Sequence, residues 1–214
     1  MGLQFSANHK IRANRQNCPD NVCVLFLSEW FLSALNAQRF EPFATPLLSR
    51  IFVLGLEGDD QITVQANVTV ATRLDGGDGA DKLRGGGGVN LLLGGNDGDI
   101  LIGGGQRNIL IGGLGADRLT GARDQDLLIA GRTAFDSNDA ALDLILREWI
   151  TNAPYLTRIN NIMAGNSAPA LDDTTVFDDG VRNQLNGAAE LDWFVIGGAD
   201  VVRRPVRAER IDLL

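Results

Sequence analysis

Between Gly76 and Ile129 an oxygen-bearing side chain returns at every ninth residue: Asp81, Asn90, Asp99, Asn108, Asp117 and Asp126. Carboxylate and amide oxygens at a fixed interval are hard ligands, and the cation they suit is Ca²⁺, which gathers about six to eight oxygens and accepts backbone carbonyls alongside carboxylates. Asp60, Asp78 and Asp97 lie in the same kind of setting and complete the candidate metal ligands.

Those residues are carried by GGDGADKLR from Gly76, GGGGVNLLL from Gly85, GGNDGDILI from Gly94, GGGQRNILI from Gly103, GGLGADRLT from Gly112 and GARDQDLLI from Gly121, in phase and without insertion. The first column is always Gly, the second is Gly except for Ala122, and the eighth is always leucine: Leu83, Leu92, Leu101, Leu110, Leu119 and Leu128. Glycine admits the positive-φ turn that lets carbonyls converge. The last three residues alternate in direction as a short strand, with the leucine inward. A fixed short period of this kind is the signature of a solenoid.

The array resembles the repeats-in-toxin (RTX), or hemolysin-type, calcium-binding family, with its consensus GGxGxDxUx. A looser copy, GLEGDDQIT from Gly55, lies upstream, with Asp60 in the ligand column; DDGVRNQLN from Asp178 and GAAELDWFV from Gly187 lie downstream, offering Asn183 and Asp192. The resemblance implies a parallel β-roll in which two nonapeptides make one coil and Ca²⁺ sits between loops of successive coils. It then places Asp81, Asp99 and Asp117 on one edge and Asn90, Asn108 and Asp126 on the other. The Asp edge is expected to bind more tightly, since Ca²⁺ affinity rises with ligand charge. On the Asn edge, asparagines are expected to bond to one another without an ion. In the fourth column Asp97, Gln106 and Asp124 replace glycine, at a cost in strain wherever φ is positive; Asp97 either perturbs its loop or adds a ligand.

Columns seven and nine point outward. Units one, three and five present Lys82, Arg84, Ile100, Ile102, Arg118 and Thr120, which suit water. Units two, four and six present Leu91, Leu93, Ile109, Ile111, Leu127 and Ile129, an aliphatic patch that a soluble chain rarely leaves bare. The sequence from Ser137 predicts its cover: a helix with a Ser or Asp N-cap and Leu142, Ile145, Leu146, Trp149 and Ile150 on one face, a break near Pro154, and a second helix ending at Gly165.

Composition narrows the remaining chemistry. A net charge of −8 disfavours nucleic acid and anionic membrane surfaces as partners. His9 is the sole histidine, which leaves little from which to build zinc sites or histidine-dependent triads. No phosphate-binding glycine motif or nucleophile elbow is completed, and the acid pairs Asp59–Asp60, Asp172–Asp173 and Asp178–Asp179 read as solvated or calcium-binding loops before glycosidase dyads. Cys18 and Cys23 fit either a disulfide or a chance pair.

The expected organisation is mainly β: residues 1–37 a possible export segment, 38–54 a linker and entry strand, 55–131 a calcium-binding β-roll of about three coils, 132–165 an inserted α-helical hairpin, and 166–214 degenerate repeats and a C-terminal cap plugged by Trp193 and Phe194. The apolar run Val22–Leu35 is too short to span a bilayer and reads as an export signal or an amphipathic helix. The basic C-terminal RRPVRAERIDLL offers a competing export signal. The expected function is calcium binding that drives folding of a secreted or cell-surface structural, adhesin-like protein, not an enzyme, with an unidentified protein or surface partner. The alternative is the calcium-binding or secretion-targeting portion of a larger extracellular hydrolase or toxin.

Overall fold

The computed structural model describes residues 50–203 and 209–213 in full, and the backbone alone of strands β1 (Leu3–Phe5), β2 (Lys10–Ala13) and β3 (Val22–Ser28). Cys18, Arg15 and the stretch after Ser28 as far as residue 49 lie outside the described residues. The Val22–Ser28 part of the export-like run is a strand, parallel to β4 (Arg50–Glu57).

The nine-residue period folds as two facing parallel sheets, because each nonapeptide is one short strand plus one loop. The first sheet gathers β5 (Gln61–Val64), β7 (Lys82–Arg84), β9 (Ile100–Ile102), β11 (Arg118–Thr120), β15 (Gln184–Asn186) and β17 (Val201–Val202), with β1 antiparallel at its margin. The second runs β18 (Arg210–Leu213), β16 (Trp193–Ile196), β12 (Leu127–Ile129), β10 (Asn108–Leu114), β8 (Asn90–Asn96), β6 (Ala71–Asp78), β4, β3 and β2. Equivalent columns stack in register: Leu92 pairs with Leu110, Leu110 with Leu128, and Leu83 with Leu101. The eighth-column leucines join Ile62, Leu74, Leu185 and Phe194 in one core between the sheets.

The roll is longer than about three coils. Upstream, Thr72 occupies a ligand column and Leu74 a leucine column, paired with Asn90 and Leu92. No glycine announces that unit in the sequence. Downstream, β17 and β18 add strands, so the segment read as an export signal contributes Arg210–Leu213 to the second sheet. Trp193 is also not a plug: it faces outward into the helix-covered cluster and donates to Asp212 Oδ2 at 2.6 Å, while Phe194 points into the core.

The helical insert covers the aliphatic patch. Helices α1 (Asp139–Trp149) and α2 (Tyr155–Met163) set Leu142, Ile145, Leu146, Trp149, Ile159 and Ile162 against Leu91, Leu93, Ile109, Ile111, Leu127 and Ile129. Each buried aliphatic side chain of this kind contributes about 1.5–3 kcal/mol. Asn138, not Ser137 or Asp139, caps α1, its side chain accepting from the Ala141 N–H at 3.1 Å. Ile150 is the C-cap and is exposed, because the chain turns away there. Ion pairs fix the near end of the insert, Arg73 to Asp139 and Arg50 to Asp143. At the far end the fully buried Arg158 stacks on Trp149, its guanidinium carbon 4.5 Å from the ring centroid, and donates to the Trp149 and Ala153 carbonyls and to Gln125.

The insert does not lie between two repeats; it splits one. Ala130 and Gly131 stack on Gly112 and Gly113, with the Gly113 N–H donating to the Gly131 carbonyl at 3.2 Å. The chain then leaves through β13 (Arg132–Thr133), returns through the antiparallel β14 (Val176–Phe177), and supplies Asn183 opposite Asp117. Columns one and two of this unit are therefore Ala130 and Gly131 rather than Asp178 and Asp179.

Candidate metal centre

Along one edge the sixth-column side chains form a continuous ladder. Asp60 N–H donates to Asp81 Oδ1 at 2.7 Å, Asp81 N–H to Asp99 Oδ1 at 2.7 Å, Asp99 N–H to Asp117 Oδ1 at 2.9 Å, Asp117 N–H to Asn183 Oδ1 at 2.7 Å, and Asn183 N–H to Asp200 Oδ1 at 2.8 Å. In Asp81, Asp99 and Asp117 one carboxylate oxygen is thus engaged by the neighbouring coil's backbone. The other oxygen is not. The Oδ2 atoms of Asp81, Asp99 and Asp117 are buried without a hydrogen-bond partner, where an unsatisfied charged acceptor is costly.

The loops direct those oxygens toward carbonyls. On this edge columns two and four both take positive φ: Leu56 and Gly58, Gly77 and Gly79, Gly95 and Asp97, Gly113 and Gly115. The first-column glycine leaves the space into which the oxygens converge. A Cβ at Gly76 would collide with Asp81 Oδ2 and the Gly94 carbonyl, one at Gly94 with Asp99 Oδ2 and the Gly112 carbonyl, and one at Gly112 with Asp117 Oδ2 and the Ala130 carbonyl. Two oxygens facing each other with no hydrogen between them need either a proton or a cation.

Burial raises these carboxyls accordingly, to about 7 for Asp81, about 8 for Asp99 and about 6 for Asp117, opposed in part by the backbone N–H bond that each accepts. Among the described residues no three carboxylate, histidine or cysteine groups cluster as ligands of one ion. A cation here would draw on one carboxylate and main-chain carbonyls, a donor set that suits Ca²⁺ and not a soft metal. The residues fit the ion that the repeats imply.

The second edge is built differently. Asn90 N–H and Nδ2 both donate to Asn108 Oδ1, at 3.1 and 2.7 Å, and Nδ2 also reaches the Gly86 and Gly88 carbonyls. Asn108 repeats the pattern toward Asp126 Oδ1 and the Gln106 carbonyl. Asp126 Oδ2 accepts from the Ala122 N–H at 2.5 Å. Gln106 and Asp124 have no positive φ, so their departure from glycine costs no strain on this edge; Asp97 does bear it, at φ 72°. An asparagine nitrogen does here what an ion would do on the other edge.

Of the nine candidate ligands, Asp60, Asp81, Asp99 and Asp117 are brought together on the first edge and Asn90, Asn108 and Asp126 on the second. Asp78 and Asp97 are exposed in the outer loops; Asp78 accepts from Asn96 Nδ2 at 2.6 Å, and neither side chain converges on a glycine cradle, although the Asp97 carbonyl lies against Gly115. Asp192 adds a rung beyond Asp126 at 2.7 Å and has its own unpartnered Oδ2, its carboxyl raised to about 8 by burial. Its loop takes positive φ at Ala188 and Glu190, as first-edge loops do. Thr72 and Asp200 were not singled out from the sequence, since unit lengths change around each of them and the phase is lost; Asp179 stood out there only as half of an acid pair.

Comparison with known families gives a match over part of the roll. The sequence model of the RTX calcium-binding nonapeptide repeat (4 copies) matches residues 71–101 and 93–128. No curated protein and no solved structure matches the chain.

Proposed function

We propose, from the premise that residues 71–128 are RTX calcium-binding nonapeptide repeats, that this chain is a calcium-stabilised structural module of a secreted or cell-surface protein. The observation that carries the reading is the row of buried Oδ2 atoms on Asp81, Asp99 and Asp117, each facing a carbonyl oxygen across a glycine. With Ca²⁺ in these cradles, the cation replaces the protons that burial otherwise forces onto the carboxyls. Binding to the folded state alone then becomes folding free energy. Calcium sites of extracellular modules bind at about 10⁻⁴–10⁻³ M, the affinity expected here if the protein works outside the cell.

The helical insert and the closed aliphatic face give the module a second source of stability, the burial of apolar side chains. A scaffold or adhesin-like role fits a stacked roll with exposed basic side chains at Lys82, Arg84 and Arg118 on its uncovered sheet. No helix among the described residues is long and apolar enough to cross a membrane. The experiment is thermal denaturation in Ca²⁺, in Mg²⁺ and in chelator, for the wild type and for Asp99→Ala. Ca²⁺ should raise the melting temperature of the wild type, Mg²⁺ should do so far less, and the variant should lose much of the gain. Identical melting in all three conditions would defeat the reading.

A further inference from the structure

The repeat split by the helical insert lies next to the last free carboxylate oxygen of the Asp edge. Asp117 is 1% exposed, and its Oδ2 has no partner. The carbonyl it faces across Gly112 belongs to Ala130, two residues before the neck of the insert. From the other side of the neck, Asp179 reaches into the same loop: its Oδ2 accepts from the Gly115 N–H at 2.7 Å and its Oδ1 from the Val181 N–H at 2.9 Å. The antiparallel pairing of Arg132 with Phe177, and the Ala134 N–H bond to the Thr175 carbonyl at 2.8 Å, hold these two ends together. None of Ala130, Gly131 or Asp179 falls within the residues that match the repeat family.

We propose that Asp117, the Ala130 carbonyl and Asp179 form a divalent-cation site closed by both ends of the helical insert, so that filling it clamps the hairpin onto the aliphatic sheet. At the rungs that join Asp60, Asp81, Asp99 and Asp117 one continuous loop faces another, and a cation there joins coil to coil. At this rung the second loop is discontinuous, and a cation joins the roll to the base of the insert. Metal occupancy then sets how readily α1 and α2 lift from Leu91, Ile109 and Leu127, the surface they cover. Asp179 already lies against the loop through the Gly115 N–H, so the cation completes a contact that the backbone has begun.

The inference rests on the calcium reading above, and the test separates the two. Hydrogen–deuterium exchange is measured on the full chain, with Ca²⁺ and with chelator, for the wild type, Asp117→Asn, Asp179→Asn and Asp81→Asn. At Ca²⁺ about ten times its dissociation constant, exchange of the 139–163 amides should slow about tenfold in the wild type and in Asp81→Asn. In Asp117→Asn and Asp179→Asn that slowing should vanish, while the strands of residues 82–102 remain protected by Ca²⁺. The clamp is overturned if Ca²⁺ protects those strands but leaves the hairpin unchanged, or if all three variants lose hairpin protection equally. If Ca²⁺ protects neither region, the calcium reading fails and the clamp with it.

Discussion

Asp99→Asn should have opposite effects with and without calcium. Asp99 Oδ1 accepts the Asp81 N–H, a bond that an asparagine oxygen can keep. Its Oδ2 faces the Gly112 carbonyl without a partner, and there an Asn Nδ2 donates, as Asn90 does on the other edge. Burial raises the Asp99 carboxyl from 3.8 to about 8. A raised carboxyl means that the folded chain holds a proton that the unfolded chain has released, so metal-free stability falls as pH rises through this window. At about 1.4 kcal/mol per unit, with relaxation of the loop discounting the full shift, the penalty near pH 8 is on the order of 3–5 kcal/mol. Asparagine removes that penalty and adds a hydrogen bond worth about 1 kcal/mol. For a domain of this size the gain amounts to a melting temperature higher by on the order of 10 °C in chelator. It should shrink as pH falls and approach zero below about pH 4, where the aspartate becomes protonated in the unfolded chain as well as in the folded one. In saturating Ca²⁺ the order should reverse, the wild type melting higher. Calorimetric scans in both conditions across that pH range decide the matter. A variant less stable than the wild type in chelator near pH 8, or a gain undiminished near pH 4, would refute the reasoning.

In the wild type, metal-free stability should decline from about pH 4 to about pH 8, because Asp81, Asp99, Asp117, Asp126 and Asp192 are all raised to values between about 6 and about 8; denaturant titrations in chelator at several pH values will show it. Calcium affinity should rise over the same interval as protons cease to compete, and a pH-independent affinity would contradict this. Gly94→Ala, whose Cβ would enter the cradle between Asp99 Oδ2 and the Gly112 carbonyl, should cost about 1–3 kcal/mol and weaken the calcium-induced gain in melting temperature. Ile109→Asp with Ile111→Asp places two carboxylates beneath α1 and should unfold or aggregate the chain, a loss above about 4 kcal/mol detectable by gel filtration and circular dichroism; a monomeric, helical double variant would show the helices are not the cover.

The sequence made legible what its period encodes. Constant leucines at column eight mark the inward face of each strand, since alternation alone fixes it, while the two sheets and the division of ligands between edges were implied by the resemblance to the RTX repeats. The covered face was legible for the same reason: six aliphatic side chains in columns seven and nine of alternate units demanded a partner, and an amphipathic helix follows. What was lost lies where the period breaks. Thr72 sits in a unit lengthened by the excursion around Val68, which separates Asp60 from Asp81 by 21 residues instead of 18. Asp200 stands 17 residues beyond Asn183, so it falls out of phase as well. Ala130 and Gly131 complete a column with residues 178–186, across an excursion that a local pattern cannot bridge. The unlike loop conformations of the two edges were hidden too, because Gly86, Gly88 and Gly104 permit positive φ without using it.

The central claim is that a row of buried carboxylate oxygens exchanges protons for a hard cation. Isothermal titration of Ca²⁺ into the metal-stripped chain near pH 7, repeated in buffers of different ionisation enthalpy, counts both at once. The account predicts uptake of more than one ion per chain, with protons released to the buffer as the ions enter. Absence of uptake, or uptake with the same heat in every buffer, would contradict it.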